Sequence, residues 1–195
     1  MVATNYEAAI SLIDEAHSQD PNIAIIDNVS IPYELHYARK MTHYLSLRAP
    51  SASPILKVAI RAQHLRRWEI PRSSYPMTRA GYLSWRAFLK KRQASLAKAI
   101  CIGCGFGEEE AEGVARLVRK EDLIGNEETQ VLEDVACLVF LDDQFERFGR
   151  EHDEEMIVRV LRKTWRKMSD GGRELALGIG MTGECERLIG KALAE

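Results

Sequence analysis

Three observations predict an all-α fold. Apolar residues recur at helical spacing along nearly the whole chain, no convincing alternating run closed by a hairpin turn stands out, and prolines and glycines fall where helices would begin and end. With 195 residues, 46% of them hydrophobic and 29% charged, the expectation is a single-domain helical bundle of about seven to eight helices around one core.

Helices are expected over 4–18, 32–48, 54–69, 80–101, 108–120, 128–149, 154–168 and 184–194. Pro32 and Pro54 suit first-turn positions, while Pro71 and Pro76 keep the segment 70–79, "IPRSSYPMTR", irregular. "GCGFGEEE", 103–110, reads as a helix end, a turn and a new helix start, whose three glutamates would repel a phosphate. "SDGGRE", 169–174, is expected to end the preceding helix at its glycines. Helix 154–168 is amphipathic, with Arg159, Arg162, Lys163 and Arg166 opposite Met156, Val160, Leu161 and Trp165.

Composition narrows the function classes. No apolar run of the ~18 residues needed to span a bilayer occurs, and the first sixteen residues carry no Arg or Lys, unlike a signal or transit peptide; a cytoplasmic protein without a membrane partner is expected. Four cysteines are too few for a disulfide scaffold, and "CIGC", Cys101 to Cys104, lacks a second pair at metal-ligand spacing. Net charge is only −2, but it is segregated: residues 1–38 hold six acids and no Arg or Lys, whereas 57–98 hold eleven Arg/Lys and one acid, Glu69. Such a cationic middle would attract a phosphate-bearing partner if its charges converge.

Two helices resist a purely structural reading. On a 100° wheel, helix 128–149 places Asp134 inside a stripe of Val131, Leu138, Leu141 and Phe145, and puts Glu133 between Phe140 and Gln144. A buried Asp134 needs a metal, an arginine, a histidine or several hydrogen-bond donors, because an unpaired buried carboxylate costs several kcal/mol. Helix 54–69 keeps only a narrow polar arc, shared by Lys57, Arg61, His64 and Trp68, a plausible lining for an anionic or planar ligand. Glu69 and Arg72 follow at the helix end. Arg66 and Arg67 point elsewhere on that wheel, and one of them is the expected partner of Asp134.

The stretches "RAQHLRRWEIPRSSYPMTRAGYLSWR", "LEDVACLVFL" and "LRKTWRKMS" resemble, over nearly the whole chain, a family known only as a domain of unknown function. Some of its members carry a glutamyl-tRNA synthetase label, which finds no nucleotide-binding α/β pattern or signature loop here. More remotely, the order of elements is similar to the HD-domain metal phosphohydrolases. That resemblance implies His36 in "ELHYARKM" as a first ligand, His64 as the dyad histidine and Asp134 as the distant acid, although Leu65 stands where the dyad aspartate would be.

The resulting expectation is an HD-like domain that binds a phosphorylated metabolite or nucleotide and hydrolyses it with a divalent metal such as Mn, Mg, Ni or Fe. His64 and Asp134 would be the catalytic pair, the same two with Glu133 the metal ligands, and Lys57, Arg61, Trp68, Glu69 and Arg72 the ligand-binding set. The alternative is a non-catalytic RNA- or protein-binding module using the basic helix faces.

Overall fold

A computed structural model describes residues 4–121, 125–181 and 183–194. The chain is an all-α bundle with one two-stranded sheet among the described residues. In order come α1 (Asn5–Ser18), β1 (Ile23–Ile26), β2 (Val29–Pro32), α2 (Tyr33–Arg48), α3 (Pro54–Arg61), α4 (Arg79–Gly103), α5 (Glu108–Arg119), α6 (Glu127–Val139), α7 (Phe145–Glu151), α8 (Glu154–Lys167), α9 (Asp170–Leu177) and α10 (Gly183–Leu193). A π turn, Phe140–Gln144, joins α6 to α7 without a break.

Local chemistry explains the starts. Thr4 opens α1 with a reciprocal cap: its hydroxyl accepts from the Glu7 N–H, and the Glu7 carboxylate accepts from the Thr4 N–H. Ser53 caps α3 with Pro54 in the first turn, and Thr78, Asn126, Asp153 and Ser169 cap α4, α6, α8 and α9. Packing does the rest. α4 lies along α5, α2 against α6 and α3, and the fully buried Ile13, Met41, Leu56, Leu132, Leu138 and Phe145 fill the space between them. Each such side chain contributes about 1.5–3 kcal/mol by leaving water.

Three features depart from the sequence expectation. Residues 23–32 form a β-hairpin rather than a loop and helix start, its strands paired from Ile23–Pro32 to Ile26–Val29. Asp27 and Asn28 both take positive φ at its tip, the geometry of the two-residue turns that match strand twist. The expected helix 54–69 ends at Arg61: His64 (φ +64°) and Arg66 (φ +51°) sit in the left-handed region, and the chain resumes as a short 3-10 turn at Arg67–Glu69. No glycine or proline marks that break. The side chains around it hold it, Leu65 being 1% exposed and the Arg66 carbonyl accepting from Arg92 Nη1 at 3.0 Å.

The third is α9. Ser169 and the two glycines start this helix instead of ending the one before it. The Ser169 hydroxyl accepts from the Gly172 N–H, and a Cβ on Gly172 would fall 2.7 Å from the Asp134 carboxyl carbon. Gly172 is there because a helix must pass against a buried carboxylate, a packing demand that local sequence does not display.

Candidate functional site: a cationic cavity between α4, α6 and α8

The break after Arg61 redistributes the residues of the expected polar arc. Arg61 turns back to Asp14, gripping both carboxylate oxygens at 2.6 and 2.7 Å and reaching the Thr42 hydroxyl at 2.9 Å. Glu69 pairs with Arg92 and Arg66, and Arg72 donates to the carbonyls of Tyr75, Pro76 and Thr78, fixing the loop it belongs to. The Trp68 N–H of the main chain donates to Glu34, while its indole nitrogen is buried without a partner. Lys57, Arg61, Trp68, Glu69 and Arg72 do not line a common cavity with His64, because the regular helix that would align them stops first.

His64 does line a cavity, of about 270 Å³, and its companions differ from those expected. Arg67 enters from the 3-10 turn beside it. The helix α4 contributes Tyr82, Arg86, Leu89, Lys90 and Gln93, which recur at i, i+4, i+7, i+8 and i+11 and so share one face. Lys120, in left-handed conformation just past α5, closes one side, Lys167 comes from the end of α8, and Glu133, Phe140 and Gln144 come from α6 and the π turn. Five side-chain cations therefore meet one carboxylate.

The six charges are not arranged alike. Glu133 is 5% exposed and accepts from Lys120 at 2.5 Å and Lys167 at 2.7 Å. Burial would raise its pKa, but the two ammonium groups hold it down at about 2, so it is ionised. Arg67, Arg86 and Lys90 have no carboxylate partner among the described residues. Arg67 lies over the Trp85 ring at 4.5 Å and Arg86 over Tyr82 at 5.7 Å. Burial, then Lys120 and Arg86, push the Lys90 pKa down. The Gln93 amide nitrogen is buried and also unpartnered, a donor on the same wall.

His64 stacks on Tyr37 with ring centroids 4.1 Å apart, and Arg67 Nη1 lies 3.1 Å from its Nε2. Guanidinium can only donate, so Nε2 accepts and the ring proton sits on Nδ1. Burial and then Arg67 push the His64 pKa well below its ordinary value, which keeps the imidazole neutral.

Asp134 is fully buried, as its place on the wheel predicts, but it belongs to another network. Arg48 Nε donates to it at 2.8 Å, Gln130 Nε2 at 2.9 Å, and Ser169 through both its main-chain N–H at 2.8 Å and its hydroxyl at 2.5 Å. Its arginine is thus Arg48, not Arg66 or Arg67. His36 is bonded to Asp143. The metal set expected of His64, Asp134 and Glu133 is not assembled: each already accepts from neighbouring protein donors, and among the described residues no group of three or more His, Cys, Asp or Glu could hold a metal ion.

Sequence reasoning missed Arg86, Lys90, Gln93, Lys120 and Lys167. The signal was present in the spacing of α4, where Tyr82, Arg86, Lys90 and Gln93 form a polar stripe beside the buried Trp85 and Leu89.

The fold and the cavity together define an all-α protein with a small, strongly cationic pocket, and the described residues contain no helix long and apolar enough to cross a membrane. Its sequence belongs to the family described as domain of unknown function (DUF4202), which it matches over residues 7–189. No curated protein and no solved structure matches the chain.

Proposed function

We propose that this protein binds a phosphate-bearing small molecule, a metabolite or nucleotide, in the cavity between α4, α6 and α8. One observation carries the reading: Arg67, Arg86 and Lys90 face a single cavity and none of them is paired with a carboxylate among the described residues, beside the unpartnered Gln93 amide. Like charges brought together in a partly desolvated space repel, so a fold that gathers them needs a compensating anion. Phosphoryl oxygens accept several charge-assisted hydrogen bonds at once, which suits two guanidinium groups, an ammonium and an amide. At about 270 Å³ the cavity suits a compact ligand.

Hydrolysis by a metal on His64 and Asp134 forms no part of this reading, because Asp134 is committed to Arg48 and Ser169. Titration calorimetry with inorganic phosphate in metal-free buffer tests the site. Binding to the wild-type chain should fall tenfold or more in Arg86→Ala, the loss expected for one charge-assisted contact of about 1.5–3 kcal/mol. Equal binding by the two proteins, or none by either, removes the proposal.

A further inference from the structure

Resting on that reading, we propose that the ligand carries two adjacent phosphoryl groups, one held by Arg67, Arg86 and Lys90 and the other reaching Lys120 and Lys167, each of which gives one N–H to Glu133 and has further donors to offer. The cations of the cavity fall into these two sets by their pairing. The first three have no carboxylate partner among the described residues, whereas Lys120 and Lys167 converge on the two oxygens of one buried carboxylate, at 2.5 and 2.7 Å. Both sets line the same cavity.

Charge decides the class of ligand. With Glu133 as the single acid among five cations, the lining is strongly positive. One phosphoryl dianion would leave part of that charge uncompensated in a site where water screens poorly, whereas a diphosphate compensates most of it. Geometry points the same way. A carboxylate held between two converging ammonium groups has the charge and the two-oxygen reach of one phosphoryl group, and a phosphoryl group brings more negative charge to the same pair of donors. Glu133 thus marks the two ammonium groups that the second phosphoryl group would share. The lysines belong to different elements, the end of α5 and the end of α8, so a ligand bridging them and the α4 face would also tie these helices together.

Inorganic phosphate and pyrophosphate, titrated separately into the full chain in metal-free buffer, distinguish this from the simpler site. Pyrophosphate should bind at least tenfold more tightly than phosphate. In Lys167→Met, whose wild-type side chain is about a third exposed, the preference for pyrophosphate over phosphate should drop to about one. Equal affinities in the wild-type chain would overturn the two-group proposal and leave the phosphate site standing; binding of neither anion would overturn both. Should Lys167→Met fail to fold, the wild-type ratio decides the question alone.

Discussion

Arg48, in the last turn of α2, donates to Asp134 in the middle of α6 at 2.8 Å, and the Gln130 amide with a hydroxyl and an N–H from Ser169, which starts α9, complete the carboxylate's shell. Three helices are thereby pinned at one buried charge. Removing it by Asp134→Ala leaves Arg48 largely unpaired and should cost about 3 kcal/mol in urea unfolding, the low end for a broken buried pair because Arg48 is partly exposed. Gly172→Ala should cost about 1–3 kcal/mol by pressing a methyl against the same carboxyl. Asp134→Asn should leave phosphate affinity intact; a loss of binding there would return Asp134 to the site.

Acid sensitivity should trace to Glu133. Its carboxyl is held at about 2, below the ordinary value of 4.5, so its stabilising contribution is complete above pH 4.5 and disappears as pH falls towards 2. The shift corresponds to something on the order of 3 kcal/mol. Stability measured by denaturant between pH 6 and 3 should fall less steeply in Glu133→Gln than in the wild-type chain, and parallel curves would show that other carboxylates govern the acid limb.

His64 should stay neutral at pH values where a free histidine, with a pKa of about 6.5, is half protonated. Nitrogen-15 NMR of the labelled imidazole should report the Nδ1–H tautomer at pH 6, with Nε2 unprotonated beside Arg67. A protonated ring at that pH would contradict the Arg67 contact.

The hairpin exposes a run of apolar side chains: Ile23, Ile25 and Val29 are 58, 73 and 63% exposed, and Asp27 at the tip is the one charged residue in 23–32. Unblunted strand edges of this kind template association between chains. Ile25→Lys should change stability by less than about 0.5 kcal/mol and reduce light scattering at high protein concentration. Unchanged scattering would show that the hairpin does not mediate self-association.

The bundle was legible because its signals are local: helix spacing, the first-turn Pro54, and an acid in an apolar stripe, whereas Pro32 ends a strand just before its helix. Glu133, Phe140 and Gln144 were grouped correctly by periodicity alone, and all three line the cavity. What escaped was fixed by distant parts of the chain. Leu65 continues the apolar spacing of α3, so the letters conceal a backbone that has already turned at His64. Gly171 and Gly172 look like helix terminators until Arg48 and Asp134 are seen in the space their side chains would fill. The roles of Arg61 and Arg67 exchanged for the same reason: one turned segment sends Arg61 to Asp14 and Arg67 to the cavity.

That turn has an evolutionary consequence. A histidine at φ +64° occupies a conformation glycine would adopt more easily, so backbone strain taken alone, of the order of 1 kcal/mol, would favour His64→Gly. The same exchange deletes the imidazole that stacks on Tyr37 and accepts from Arg67. Position 64 is therefore where backbone ease and side-chain contacts pull in opposite directions.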